Sequence, residues 1–253
     1  MHSDLELEYK HFEELDSTND FLRTLTPSTD ITIVSTDFQT KGRGQMGNTW
    51  LSNRRENLLF SILLQPNNLK ASDGFVLSQA MALSIKEALD NHIKEVSIKW
   101  PNDIYSDGKK ICGTLIENTL FGKLVGRSII GSGININQKS FPDGLAAPPT
   151  SIYLLTNMET SPSYLLNSIM EYFTKYYKQI QEGEYTTIRQ LYHQHLYLRG
   201  QCCRFQDSEG EFLGKISHVE ADGHLIIEDN HSRQRRYAFK EVKFLHINQN
   251  INQ

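Results

Sequence analysis

The sequence predicts an α+β protein: a mixed, mostly antiparallel sheet with flanking helices, followed by a small β-rich unit. Three observations lead there. Residues 96–137 read as strand, turn, strand with no helix between them. Two segments, one over 73–92 and one from Pro162 to Ile180, carry apolar residues at helical spacing. After "LRGQ" (198–201) the texture changes to short strands. Strands grouped apart from helices indicate α+β, because a doubly wound fold alternates them. Two domains are expected, 1–197 and 198–253.

The elements follow in order. A short helix begins at "DSTND", where Ser17 or Thr18 can cap it and Phe21, Leu22 and Leu25 share a face. "ITIVSTD" (31–37) is β-branched and strand-like, and "NLLFSILL" (57–64) reads as a buried strand. Leu77, Met81, Ile85, Ala88 and Leu89 give the helix over 73–92 an inward face. Asp107-Gly108 is a hairpin signal, and "FGK" (121–123) marks a second turn. After the Pro/Gly loop 139–151, Ser161 and Pro162 start a helix with Leu165, Ile169, Phe173, Tyr176 and Ile180 inward. A further helix covers 185–196, and Asp222-Gly223 is a turn in the closing β-rich unit.

Composition narrows the function classes. With 26 basic and 30 acidic residues the net charge is −4, which gives no electrostatic footprint for DNA. No apolar run reaches signal-peptide or membrane-span length, so no membrane role is expected. Three cysteines, Cys112, Cys202 and Cys203, form no disulfide framework and suit a reducing, cytoplasmic setting. His193 and His195 near Cys202 and Cys203 match no zinc spacing and read as packed or surface side chains. "RQRR" (233–236) reads as a solvated charged turn, with contact to an acidic carrier protein as the alternative.

Chemistry concentrates in three polar stretches. In "KGRGQMGNTW" (41–50), Gly42, Gly44 and Gly47 have the spacing of a dinucleotide fingerprint. The context fails: "NTWLSNRRENLLF" shows no amphipathic helix, and Pro66, Asn67 and Asn68 stand where an acidic ribose ligand belongs. Lys41, Arg43, Arg54 and Arg55 still make the loop suited to an anion. "SIKWPNDIYSDGKKICG" (97–113) sets Lys99, Asn102, Asp103, Lys109 and Lys110 around a turn fixed by Pro101. Asn and Asp beside Lys fit Mg²⁺-assisted phosphate chemistry. "GSGININ" (131–137) is a third glycine-containing strand end.

Together with "DSTND", these stretches resemble the biotin protein ligases over roughly residues 12–137, in order and at family-like spacing. The resemblance implies a class II synthetase-like catalytic domain, a mixed sheet with helices on one side, and a small SH3-like C-terminal β-barrel. It implies a two-step reaction. Biotin and MgATP give biotinyl-5′-AMP and pyrophosphate, and a lysine of a biotin carboxyl carrier protein then takes the biotinyl group as an amide. By the same resemblance Lys110, Arg43 and Asp103 are catalytic. Asp103 either positions Mg²⁺ or deprotonates the incoming lysine. Ser17, Thr18, Asn19, Gln39, Gly42, Arg43, Lys110, Gly113 and Gly133 are assigned to biotin. Arg43, Gln45, Trp50, Lys99, Asn102, Lys110, Ser132 and Asn135 are assigned to ATP.

Two departures from the family pattern stand out. Gln45 occupies a position where some members carry an arginine that helps retain the adenylate, and Cys112 stands where small apolar residues are common. About a dozen residues precede the first motif, too few for the DNA-binding domain of some relatives, so the short form is expected. An exposed edge strand allows a homodimer. The competing readings are a lipoate or octanoate ligase of the same fold, and a non-enzymatic carrier-binding module built on the C-terminal barrel.

Overall fold

The computed structural model describes residues 5–44, 47–145 and 147–245. Strands β1 (Leu7–Phe12), β2 (Ile31–Thr36), β3 (Asn57–Leu64), β4 (Val96–Lys99), β5 (Asp103–Ser106), β6 (Lys109–Phe121) and β7 (Leu124–Asn135) form one sheet. Their order is β1-β2-β3-β7-β6-β5-β4. Only the β1–β2 pair is parallel. Asp107 and Gly108 have φ of 50° and 68°, the two positive values a two-residue type I′ hairpin needs, and Gly122 turns β6 into β7 at φ 61°.

Side-chain alternation assigns the faces of this sheet. Leu58, Phe60, Ile62 and Leu64 of β3 join Ile31, Ile33 and helix α2 (Phe75–Asp90) in the main core. Leu63, on the opposite face, joins Val34, Ile129 and Leu22 of helix α1 (Thr18–Arg23), with Phe21 and Leu25 packed against them. β3 is therefore buried along its whole length. Ser17 is the cap of α1, accepting from the Asp20 amide. The helix layer begun by α2 lies on one side of the sheet, as the resemblance implies, and the short α1 covers part of the second face, where its apolar stripe meets odd-numbered positions of β3 and β7.

α2 is buried on most of its circumference, between the sheet and α4 (Pro162–Gln181). α4 turns Leu165, Ile169, Phe173, Tyr176 and Ile180 inward, with Ser161 as cap and Pro162 in its first turn. Two elements had no counterpart in the sequence reading. β1 is a charged edge strand in which Glu8 and Lys10 alternate with Leu7, Tyr9 and His11. α3 (Ile152–Thr156) is a single short helix between Ser151 as cap and Asn157 at φ 57°. The opposite edge strand, β4, is covered by backbone: the Ile98 amide donates to His195 O, and the Tyr197 amide donates to Ile98 O.

After α5 (Thr186–Gln194) come β8 (Cys203–Asp207), β9 (Gly210–Val219), β10 (Leu225–Asp229), β11 (Gln234–Tyr237) and β12 (Lys243–Phe244). Among the described residues this SH3-like unit is a five-stranded antiparallel sheet in the order β11-β10-β9-β8-β12. It grips the first sheet at the 99–103 corner. Trp100 Nε1 donates to Gly223 O at 2.8 Å, and α5 braces the same corner, the Tyr192 hydroxyl donating to Pro101 O at 2.7 Å. The Val219 amide donates to His193 Nε2 at 3.1 Å, so His193 belongs to this seam and not to a metal site. Burial holds its imidazole below the usual histidine range.

"RQRR" is a strand, not a solvated turn. Arg235 bonds Asp229 at 2.8 Å and Asp207 at 3.0 Å, and Arg236 bonds Glu220 and Asp222 at 2.6 Å each. Opposing acidic side chains within the unit draw these arginines in, so little of their charge is left for an acidic partner. Glu220, Asp222 and His224 are the one metal-like cluster among the described residues, and the Arg236 guanidinium already meets all three. Among the described residues no helix is long and apolar enough to cross a membrane.

The Trp100–Gly223 bond generates a stability prediction. Trp100→Phe keeps the aromatic packing against Phe239 but leaves the Gly223 carbonyl without its donor. The expected loss is about 1–3 kcal/mol. Denaturant unfolding should show a lowered midpoint with an unchanged m-value.

Candidate active site

Alternation on β6 and β7 creates the floor of the site. Gly113 pairs with Gly133 and Leu115 pairs with Gly131, so three glycines present bare backbone on the face that also carries α1. Side chains fill the space directly above them. A Cβ on Gly131 would lie 2.0 Å from Asn19 Oδ1, and one on Gly133 would lie 2.3 Å from Cε2 of Trp50. A cleft of about 860 Å³ opens over this floor.

One end of the cleft is a polar network. Gln39 Oε1 accepts from the Thr18 amide at 2.8 Å and from its hydroxyl at 3.1 Å. Thr18 Oγ1 lies 2.6 Å from Ser61 Oγ, and Ser61 donates to Asn19 Oδ1 at 2.6 Å. Asn19 Nδ2 then donates to Glu117 Oε2 at 2.9 Å. Ser17, Thr18 and Asn19 are all buried at the start of α1, as the "DSTND" reading placed them.

The glycine loop forms the next wall. It turns back on itself: the Trp50 amide donates to Gly42 O at 3.0 Å, and the Gly44 amide donates to Asn48 O at 2.7 Å. Gly42 is required by that approach, since a Cβ there would lie 2.5 Å from Trp50 O. Arg43 is held by carboxylates. One of its terminal nitrogens contacts both Glu117 oxygens at 3.1 Å and Asp20 Oδ1 at 3.2 Å. Its Nε is buried with no acceptor among the described residues. Gln45 lies outside the described residues. Trp50 rests on the floor over Gly113 and Gly133, its Nε1 buried and unpartnered among the described residues.

The opposite wall is the KWPND corner. Lys110 arches over Gly113, where a Cβ would meet its Nζ at 3.1 Å, and pairs with Asp103 at 2.7 Å. Lys99 lies 3.1 Å from the Tyr105 hydroxyl, with the Phe244 ring 5.3 Å away. Burial holds the Lys99 ammonium below the usual lysine range, against the pull of nearby Asp103. Buried Asn102 donates to Thr114 O at 2.9 Å. Ser132 lies opposite Thr114 in the register and bonds its hydroxyl at 3.0 Å, so its side chain is engaged within the sheet. Asn135 Nδ2 donates to Thr150 O at 2.9 Å, while its Oδ1 is buried without a partner among the described residues. Cys112 is fully buried, and burial pushes its thiol up to about 12, in keeping with a packing role.

Sequence reasoning missed several contributors. Ser61 and Glu117 complete the polar end. Phe141, Pro142, Gly144, Leu145, Ala147 and Pro149 close one side, and the neighbouring Pro148 carbonyl accepts from the Lys110 amide at 2.8 Å. Phe239, Lys240, Val242, Lys243 and Phe244 bring the second sheet to the mouth of the cleft. Glu117 was findable, because it sits two and four positions beyond Leu115 and Gly113 on the same strand face. The segment 239–245 carries no local signal and arrives only through the packing of the two sheets.

Comparison with known proteins agrees with this geometry. Residues 12–135 match the Biotin/lipoate A/B protein ligase family. The bifunctional ligase/repressor BirA of Bacillus subtilis is 32% identical over 212 residues, covering 82% of this chain. This chain spans 64% of that relative's length. The biotin–[acetyl-CoA-carboxylase] ligase of Paracoccus denitrificans is 26% identical, over 78% of this chain and 83% of that protein. Among solved structures, the biotin protein ligase from Aquifex aeolicus in complex with biotin and ATP superposes with a TM-score of 0.77 at 27% identity. That match covers 94% of this chain and 99% of that one. The chain belongs to the biotin/lipoate A/B protein ligase family and, within it, stands among the biotin protein ligases.

Proposed function

We propose that the protein activates biotin with MgATP to biotinyl-5′-AMP, releasing pyrophosphate, and then passes the biotinyl group to a lysine of a biotin carboxyl carrier protein. Residues 1–197 would form the catalytic domain and 198–253 a β domain that completes the mouth of the cleft. The observation that carries this reading is the Lys110–Asp103 pair set over a floor of three glycines, with a polar network at one end.

The first step requires biotin carboxylate, an anion, to attack the α-phosphorus of another anion. Fixed cations that hold both groups together remove most of that barrier. Lys110 is the group for this centre: its ammonium turns from Asp103 to the carboxylate and α-phosphate as the carboxylate oxygen bonds phosphorus and pyrophosphate leaves. Arg43 offers its Nε, unpartnered among the described residues, to the biotin carboxylate. Lys99, Lys240 and Lys243 line the cleft and form no ion pair with an acidic side chain among the described residues, which suits the triphosphate. Trp50 offers an aromatic face to adenine, and Asn135 Oδ1 a free acceptor.

Mg²⁺ enters with ATP. A single carboxylate, Asp103, beside the triphosphate suits an ion held chiefly by phosphate oxygens and water, where it screens phosphate charge. In the second step the carrier lysine, neutral on arrival, attacks the acyl carbon; AMP leaves and an amide forms. Asp103 can take the lysine proton once Lys110 has turned to substrate.

The polar end favours biotin over lipoate. A ureido ring offers N–H and C=O groups to Thr18, Gln39 and Asn19, whereas a dithiolane would leave those buried polar groups unmatched.

Three outcomes test the reading. Pyrophosphate release and carrier labelling should depend on biotin and not on lipoate, and Lys110→Ala should lower adenylation about 10²–10³-fold; lipoate-only turnover would sink it. Asp103→Asn should slow transfer from preformed biotinyl-5′-AMP if Asp103 is the base, and adenylation alone if it serves Mg²⁺. Lys99 is charged at low pH and loses its proton as pH rises through its depressed pKa. The KM for ATP should therefore climb with pH below the usual lysine range, and Lys99→Arg should flatten that limb.

A further inference from the structure

Glu117 lies outside the motifs that define the site, yet it is where the two walls of the cleft meet. Its carboxylate accepts from Asn19 Nδ2 at 2.9 Å on the ring-binding side. On the loop side it accepts from Arg43 at 3.1 Å to each oxygen, and it also pairs with Arg23. Asp20 braces the same cluster, 2.8 Å from Arg23 and 3.2 Å from Arg43. Burial pushes the Glu117 carboxyl up, but the Asn19 amide and the two arginines outweigh it and leave it below its ordinary value. The carboxylate is thus ionised and accepts on both oxygens.

This arrangement fixes two side chains at once. Asn19 has its oxygen committed to Ser61 and its nitrogen to Glu117, so the amide has one orientation. Arg43 is held by one terminal nitrogen, which leaves its buried Nε for a substrate anion. Resting on the biotin-ligase reading above, we propose that Glu117 is a positioning residue linking the ring-binding end of the cleft to the glycine loop, so that Asn19 and Arg43 act on biotin as one unit. It touches no reacting atom.

Glutamine at 117 fills the same volume but has one oxygen in place of two, and its nitrogen is a donor facing donors. With its oxygen in the Oε2 place it still accepts from Asn19 and Arg43, but its nitrogen then stands as a donor against Arg23 and Arg43 where Oε1 was, and the negative charge that holds both arginines is gone. The experiment measures biotin Kd by calorimetry, together with ATP KM and the rate of biotinyl-5′-AMP release. The proteins are wild type, Glu117→Gln, Arg43→Met and the double variant. Glu117→Gln should weaken biotin and speed adenylate release by about tenfold each, the scale of one charge-assisted hydrogen bond, with ATP KM within about twofold. Arg43→Met should cost biotin about tenfold in the wild type and almost nothing further in the Glu117→Gln background.

Additive losses, or biotin and ATP constants moving together, would overturn the assignment, since a merely structural role predicts both. Unchanged biotin Kd and adenylate release in Glu117→Gln would overturn it equally. A wild-type protein that neither binds biotin nor releases pyrophosphate with it would remove the functional reading, and the inference with it.

Discussion

Three glycines on two adjacent strands, all facing α1, decide where everything else in the cleft can sit. Because Gly113, Gly131 and Gly133 leave bare backbone toward α1, flat groups can approach the sheet itself. Lys110 can arch over Gly113, Trp50 can lie on Gly133, and Asn19 can stand against Gly131. The opposite face of the same strands is ordinary core, with Ile130 and Ile134 packed on the helix layer. One sheet thus holds a hydrophobic interior on one side and a polar cleft on the other, separated by a single peptide layer.

That division also explains the charge arrangement. Cations in a concave site repel one another and would disperse without partners. Here each central cation is given a carboxylate: Lys110 has Asp103, and Arg43 has Glu117 and Asp20. The cations therefore stay close together until a more highly charged substrate competes for them. Lys99 is the exception, held near the Tyr105 and Phe244 rings, where burial holds its pKa below the usual lysine range.

Much of this was legible in the sequence, for identifiable reasons. β-Branched content revealed β2, a continuous apolar run β3, and helical-period patterns α2 and α4, and capping chemistry at Ser161-Pro162 located the start of α4. The hairpin at Asp107-Gly108 could be read because only a few residue types tolerate its φ values. β1 escaped because charged residues alternate along an edge strand, a pattern shared with exposed loops. Ser61 escaped because it sits inside "NLLFSILL" and looks like a lapse in a hydrophobic run, although it bridges Thr18 and Asn19. Segment 239–245 was invisible as part of the site because only long-range packing brings it to the mouth of the cleft.

The two tryptophans of the chain lie at the two places where the molecule does something other than pack. Trp100 is clamped at the seam between the sheets, its indole N–H committed to a carbonyl, whereas Trp50 lies on the cleft floor with its N–H uncommitted among the described residues. Ultraviolet emission from this protein therefore has two sources in contrasting surroundings. The seam tryptophan follows the docking of the two sheets and changes when they part. The floor tryptophan follows what lies beside it in the cleft. The fold thus carries its own optical gauge of occupancy and of integrity, and substituting either indole leaves the other as a single clean signal.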